Sequence, residues 1–516
     1  MAESKKKRRP NILYLLNDHQ AYYGHGGCGG PKIRRPYFDR LASQGVEFSR
    51  AYCASPLCGP SRRTMLTGLF PHNHGEIKND VDHPYDREVY LDILAQHGYR
   101  NYYFGKWHAG AGTAEDHGCE GFCYPSYNSP YNKPEYKAYL EEQGLPEFEV
   151  TIGRSFLNSP KDARKVRAEN PDAPAGAVPG EPYHVRGAWC NPHVTGVMNT
   201  PEGTHEAMFL ARLACEQLER LAKSGGDEPW SMRVDFWGPH PPYFASKRFL
   251  DMYEPASIPE YPSFNYGLKN KPERYWFEAN WPLHDAGRRI IQPNPLPWSE
   301  WQKVLALCYA QISMVDYAGG IVLNTLDKLG LDKDTLVVWS TDHGDAVACH
   351  GGHFDKNSYM PEEMMRIPMA VRFPGRIVPG RKREELVGNI DLAPTFLDAA
   401  GLGFSAETDG RSLLGLCAGE TKKWREDLMC ETHGHYKNEL GRMVVTGRHK
   451  YVWNDGDMDE LYDLAKDPYE MSNLIDSPAH KDVLTDMKAR LAKWRQASHD
   501  DPKSPESYFQ KMIRKA

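Results

Sequence analysis

The chain has 516 residues, too many for one compact core of ordinary size, so its length predicts two or more domains. It is 40% hydrophobic and 26% charged, with a formal net charge of −6, which excludes a disordered chain and gives no basis for a nucleic-acid or polybasic membrane role. The run Lys5 to Arg9 has the charge of a signal-peptide start, but the apolar stretch behind it, Ile12 to Leu16, is shorter than the roughly 7–15 residues a signal needs. No other stretch reads as a membrane span of about 20 apolar residues. The expectation is a soluble protein, cytoplasmic as written, and periplasmic or secreted if a signal has been removed from it. The 11 cysteines form no regular framework, and most are expected to be reduced and buried. Cys119 and Cys123 have no second pair with which to complete a zinc site.

In chain order, Asn11 to Leu16 is an apolar run ending in Asn17-Asp18, and it reads as a buried central strand. Arg100 to Phe104 leads to Gly105-Lys106-Trp107-His108, and Ser231 to Trp237 leads to Gly238-Pro239-His240. Thr335 to Thr341 ends in Asp342-His343. Four predicted strands thus end in groups able to bind a metal, an anion or a proton, and sites in open α/β sheets gather beyond the carboxyl ends of strands. Helical spacing runs over Thr204–Leu221 and Leu305–Leu329, so strands and helices alternate and the large domain should be α/β with helices on both faces. Residues 111–200 and 255–300 are rich in Gly, Pro, Asn and aromatics, including Trp189, Trp276, Trp281, Trp298 and Trp301. They read as long insertions over one rim, serving either packing or sugar stacking. After Gly401 the pattern changes. Arg442 to Trp453 reads as a hairpin turning at Thr446-Gly447, Glu460 to Leu464 as a short strand, and Pro478 to Gln496 as an amphipathic helix. A main domain over 10–407 and a smaller α+β domain over 408–516 follow.

The segment Cys58-Gly-Pro-Ser-Arg62 is the most informative. Pro60 suits the first turn of a helix, so Cys58 falls at a helix N-terminus, where free N–H groups favour anions, and Arg62 adds a permanently charged fork. Taken alone, it is equally a plain helix start with a buried thiol. Cys-x-Pro-Ser-Arg resembles the sequence at which sulfatases have a cysteine oxidised to formylglycine. Pro10 to Asp18, Thr67 to Gly75, Gly105 to His108, Pro239 to Pro242, Ser340 to Asp345, Glu362 to Pro368 and Leu461-Tyr-Asp-Leu464 resemble further motifs of that family in the same order. The resemblance covers nearly the whole chain. It implies the alkaline-phosphatase-like fold, a central mixed sheet flanked by helices with a smaller C-terminal α+β domain.

It also implies roles. Asp18, Asp342, His343 and the modified Cys58 look like ligands of one divalent metal ion, with His19 as a further candidate. Arg62, Lys106 and Lys356 look like cations that hold sulfate oxygens. His240 resembles the acid that protonates the leaving alcohol, and His108 the group that later takes a proton from the second hydroxyl of the formylglycine hydrate. Asn79 resembles a hydrogen-bonding neighbour of the nucleophile. Without the resemblance, His108 and His240 read first as buried structural histidines and Lys106 and Lys356 first as surface cations, while Asp342 also reads as a loop cap. His350 and His353 read as rim residues.

The family implies calcium, a formylglycine-generating maturase, and a sulfate monoester on a carbohydrate or small alcohol as substrate. Two departures bear on this. Many sulfatases carry paired acids at the first strand end and Asp-Asn at the later one, whereas this chain has Asp18-His19 and Asp342-His343. Calcium prefers an all-oxygen shell, whereas imidazole suits manganese, iron or zinc. The pattern is similar to phosphonate monoester hydrolases, which keeps a phosphonate monoester or phosphodiester substrate as the alternative. A non-catalytic binder of sulfated ligands is the third reading if Cys58 stays a thiol.

Overall fold

In the computed structural model, the described residues are 9–500 apart from 23–31, 126–128, 156–159, 187–193, 227, 279–295, 354, 357, 421–422 and 436–438. The main sheet has eight strands: β1 (Asn11–Asp18), β2 (Val46–Phe48), β3 (Arg100–Lys106), β4 (Cys119–Tyr124), β5 (Trp230–Pro239), β6 (Thr335–Thr341), β7 (Met369–Arg372) and β8 (Arg381–Arg383). Their order across the sheet is β8-β2-β7-β6-β1-β5-β3-β4. The four strands that end in polar groups are neighbours and run parallel, while β7 pairs antiparallel with both β6 and β2, which makes the sheet mixed.

Every residue of β1 is buried. Leu13 and Leu15 enter one apolar core and Ile12, Tyr14 and Leu16 the other. This two-sided burial explains an apolar run without polar alternation. The first core lies under helices Glu206–Ser224 and Trp298–Lys328, and the second under Cys58–Thr67, Tyr90–Gln96 and Leu392–Ala399. Trp298–Lys328 is long and apolar enough to cross a membrane, contrary to the reading that no stretch is, but 89% of its apolar window is buried in the fold. It is the central helix of a core.

The stretch 111–200 is less loop-like than its composition suggests. It supplies β4 at the sheet edge and three strands, Glu149–Ser155, Pro182–His184 and Val194–Met198, of a second sheet completed by Tyr243–Ala245. Trp301 is buried, and Trp298 packs on Tyr261 and Phe264, so these two indoles serve packing. Trp189, Trp281 and the side chain of Trp276 lie outside the described residues.

Past residue 408, strands β9 (Asp427–Thr432), β10 (Gly441–Thr446), β11 (His449–Asn454) and β12 (Glu460–Asp463) form an antiparallel meander with helix Lys481–Ala497 beside it. Its core is shared: Met429, Val444, Leu461 and Leu491 pack with Ala54, Phe70 and Ile390 of the larger part.

Candidate active site

The parallel strands bring their carboxyl ends into register. Asn17 lies opposite Thr341 and Asp18 opposite Pro239, with a register shift between Leu16 and Asp18 that bends β1 where its carboxylate must project. Helix Cys58–Thr67 begins beneath these ends, with Cys58 in its first turn. Asn79 Oδ1 accepts the Gly59 N–H at 2.9 Å, satisfying from 20 residues away one of the donors that a helix start leaves unpaired. Asn79 therefore fixes the turn that carries Cys58.

Four buried groups converge there: Asp18, Cys58, Asp342 and His343, with ligand atoms all within 4.8 Å of one another. Cys58 Sγ is 3.6 Å from Asp18 Oδ1 and 3.1 Å from His343 Nε2. His343 Nδ1 donates to the Gly344 carbonyl at 2.8 Å, which sets the tautomer and leaves the Nε2 lone pair toward Cys58. Only glycine fits at 344, because a Cβ there would lie 2.0 Å from the Glu363 carbonyl oxygen.

Burial pushes the Asp18 pKa up, but Lys106, Arg62, His240 and His343 outweigh it and hold the carboxyl well below its usual range. Burial and Asp18 act the same way on Asp342, where His343, Arg62 and Lys106 prevail. Burial holds His343 neutral. Two ionised carboxylates, one neutral imidazole and Cys58 make a donor set that fits one divalent cation.

Arg62 does something other than sequence suggests. Its guanidinium gives Nε to Asp342 at 2.9 Å, Nη1 to Asp235 at 2.9 Å and to the Lys106 carbonyl at 2.8 Å, and Nη2 to Asp18 at 3.0 Å. A cation so committed ties three strand ends together and is not oriented to hold sulfate. Lys106 is fully buried, so it is no surface cation. Its Nζ binds Asp18 Oδ2 at 2.5 Å and sits 4.3 Å from the Trp237 ring centroid.

Lys356 is buried as well, with Nζ 3.1 Å from Asp355 and 2.8 Å from His240 Nε2. His240 Nδ1 lies 2.5 Å from the Pro241 carbonyl. Burial and Lys356 lower the His240 pKa well below its usual value. Burial opposes the charge on Lys356, but Asp355, Cys58 and Asp18 raise its pKa, so the proton of this pair belongs to the lysine. His19 bridges the two clusters, its ring 4.7 Å from that of His240 and 4.8 Å from that of His343. His108 stands apart on Asp80, Nε2 to Oδ1 3.2 Å. His350 and His353 are not rim residues: both are fully buried, His350 on Glu363 and His353 against Tyr359 and Tyr275.

The sulfatase family model, by that description, matches residues 10–402. The chain belongs to the sulfatase family. A second model, the C-terminal region of N-sulphoglucosamine sulphohydrolase, matches residues 349–497 of this sulfatase. It is 26% identical to the N-acetylglucosamine-6-O-sulfatase of Bacteroides thetaiotaomicron over 99% of its own length and 91% of the relative's. It is 24% identical to the ulvan-active sulfatase of Formosa agariphila, over 98% and 84%. The phosphonate monoester hydrolase structure of Agrobacterium radiobacter superposes with a TM-score of 0.72 at 22% identity, covering 95% of this chain and 96% of the other, which shows the alkaline-phosphatase-like fold. The sulfatase is a sulfuric ester hydrolase of a family that uses formylglycine and a divalent metal ion.

Sequence reasoning missed several residues around this sulfatase's site. Asp235 takes Arg62, a bidentate Arg233 and the Tyr103 hydroxyl. Its signal was a charge pair, Arg233 and Asp235, inside an otherwise apolar strand. Asp345, bound by Tyr243 at 2.6 Å and pushed up to about 6 by burial, and Asp355 both face His19 Nε2, at 3.5 and 3.4 Å. His435 comes from the C-terminal part and reaches Asn79 at 3.5 Å. No local motif marks it.

Proposed function

We propose that this sulfatase hydrolyses a sulfate monoester carried on a carbohydrate, with Cys58 oxidised to formylglycine by a maturase and one divalent ion held by Asp18, Asp342, His343 and the modified residue. The observation that carries the reading is the convergence of those four buried groups with the His343 Nε2 lone pair directed at Cys58. A formylglycine hydrate supplies an attacking hydroxyl and a second hydroxyl whose deprotonation releases sulfate, and a bound cation lowers the pKa of the attacking oxygen. The mixed oxygen and nitrogen donor set favours manganese over the calcium that the family implies.

The protein's side chains do the rest. Lys106 and Lys356 place positive charge beside the oxygens that gain negative charge, in a site too buried for water to screen it. Lys356 holds the proton that the leaving alcohol needs, and His240, anchored on Pro241, positions and relays it. His108, braced on Asp80, takes the proton whose loss releases the product. Arg62 keeps Asp18, Asp342 and Asp235 in place. The carbohydrate part of the reading is supported by the relatives named for N-acetylglucosamine-6-O-sulfate and ulvan.

A second reading, a phosphonate monoester or phosphodiester substrate, is favoured by the imidazole at the metal cluster and by the fold shared with the phosphonate hydrolase. A panel of sugar, choline and aryl sulfates run against phosphonate monoesters and phosphodiesters decides between them. The expected result is higher kcat/KM on a sugar sulfate, and preference for a phosphorus ester overturns the substrate class. The mass of the Cys58 peptide tests maturation: the active enzyme should have lost H₂S and gained one oxygen there. An unshifted peptide in active protein sinks the formylglycine mechanism, and an unshifted peptide in an inactive protein that still binds sulfated ligands establishes a non-catalytic binder. Elemental analysis of the purified protein reads the metal.

A further inference from the structure

A pocket of about 380 Å³ opens at the start of β9, lined in part by Arg411, Lys423, Arg425, Arg490 and Lys493. Its volume lies in the range of small-ligand sites. Five of its ten lining residues are cationic and two, Glu426 and Asp427, are acidic, so the wall is positive. Asp427 is matched by Arg490 at 2.5 Å. Arg425 is the unusual member. Its side chain is only 3% exposed, its Nη2 binds Asp391 at 2.5 Å, and its Nε and Nη1 find no acceptor among the described residues. This guanidinium sits 4.9 Å from the Trp424 ring centroid and adds positive charge behind the pocket wall. Arg411, Lys423 and Lys493 form no ion pair among the described residues and keep their charge for the pocket.

Two indoles complete the wall, and both are fixed. Trp424 Nε1 donates to the Leu386 carbonyl at 2.8 Å and Trp494 Nε1 to Asp427 at 2.6 Å. With their N–H groups spent, these half-buried side chains bring apolar ring surface to the wall, Trp424 under the Arg425 guanidinium and Trp494 against Phe70, and what they leave open suits the C–H face of a sugar. Anion-binding cations beside rigid aromatic faces match an acidic pyranose better than a bare ion, which has no use for the rings, or an apolar molecule, which would leave the charges desolvated.

β9 runs from this pocket toward the candidate active site. It starts at Asp427 in the pocket wall and ends at Thr432, beyond which His435 meets Asn79. Its six residues span about 20 Å, a distance a few sugar units cover.

We propose that this pocket is a second carbohydrate subsite, which binds a sulfated or carboxylated sugar residue of a chain substrate away from the bond that is cut. The proposal rests on the reading of the substrate as a sulfated carbohydrate. Holding a remote unit raises the effective concentration of the sulfate ester at Cys58 without changing the chemistry there.

The test pairs wild type with the surface double variant Arg411→Glu/Lys493→Glu, and measures calorimetric binding to dextran oligosaccharides that are sulfated, carboxymethylated or unmodified, and to polyglutamate. Both proteins carry Cys58→Ala in the binding arm, so that nothing turns over. Wild type should bind at least one of the acidic dextrans about tenfold more tightly than unmodified dextran, and charge reversal should remove most of that gain. The sulfated and carboxymethylated arms tell which acid is preferred. Trp424→Phe, which keeps a ring, should bind more tightly than Trp424→Ala. Unchanged affinity on charge reversal overturns the proposal, as does polyglutamate binding as tightly as the acidic sugars. Matured Arg411→Glu/Lys493→Glu should turn over 4-nitrophenyl sulfate within about twofold of wild type, since neither residue is near Cys58. That arm keeps a failed subsite distinct from a failed sulfatase reading, which inactivity of the wild type on every sulfate would signal.

Discussion

Asp18, Lys106, Asp235 and Asp342 stand at or beside the ends of adjacent parallel strands, and one buried guanidinium joins three of them. His108, Asp355, Lys356 and His435 reach the same site from loops, and two of them, His108 and Asp355, hold a positive φ. The first group is a scaffold in which every charge has a partner. The second group lies beside it, with His108, Asp355 and Lys356 buried, and Lys356 and His108 are the members proposed above to handle protons. The contrast is one of backbone environment: the strand ends hold the proposed metal ligands in a closed charge balance, while Lys356 and His108 come from loops, so their loss should look different.

Cys58 sits where the two regions meet. Cys58→Ser should lower multiple-turnover kcat by roughly 10⁶, the scale seen when a covalent nucleophile is removed, with an unchanged melting temperature. Multiple turnover above a few per cent of wild type would contradict the assignment.

Arg62→Ala tests the scaffold. It leaves Asp18, Asp235 and Asp342 short of a partner in a region with no solvent access, and removing one partner of a buried pair costs about 3–5 kcal/mol. Urea denaturation should show that loss together with loss of activity. A variant as stable as wild type would place Arg62 among the groups that act on substrate.

His240→Ala tests the proton relay that His240, just past the end of β5, shares with the loop residue Lys356. kcat/KM should fall about 10²–10⁴-fold on an alkyl or sugar sulfate and much less on 4-nitrophenyl sulfate, whose leaving group needs no proton. Equal losses on both, with a lower melting temperature, would make His240 a packing residue and blur the distinction drawn above.

The smallest effect concerns the contact between the C-terminal sheet and the turn after helix Cys58–Thr67. His72 Nδ1 lies 2.6 Å from Glu431. Burial lowers the His72 pKa, but Glu431 outweighs it and raises the value to about 9. Because the folded pKa exceeds the unfolded one, the stabilisation is complete below about pH 6.5 and is lost as pH rises toward 9, at most about 3 kcal/mol. The melting temperature should decline over that window, and His72→Gln should flatten the decline. A wild-type profile as flat as the variant's would show His72 to be neutral throughout.

The strand ends were legible in sequence because a buried parallel strand is an apolar run, and a polar residue closing such a run has little reason to be there except function. That logic found Asp18, Lys106, His240 and Asp342 and placed β1, β3, β5 and β6 within three residues of their ends. It could not orient Arg62. A motif states which residue is present, while the destination of a guanidinium depends on Asp235, a residue 173 positions away. Asp345 and Asp355 were hidden because loop carboxylates are common, and only the packing of His19 between them gives them meaning. The Gly- and Pro-rich composition of 111–200 concealed a second sheet, since its strands are short and interrupted.

Every residue of helix Cys58–Thr67 is buried, and the turn after it is held by Glu431, more than 350 residues downstream. On the proposed reading, a maturase that oxidises Cys58 would have to reach a thiol with no accessible surface in the folded chain. Maturation and folding are thus rivals for the same segment, and the order of events is imposed by the architecture. On that reading oxidation would come while the C-terminal sheet is still unmade, during synthesis or before compaction. A cell that folds this chain faster than it modifies it would accumulate a well-structured, inert product that no later exposure to the maturase could rescue.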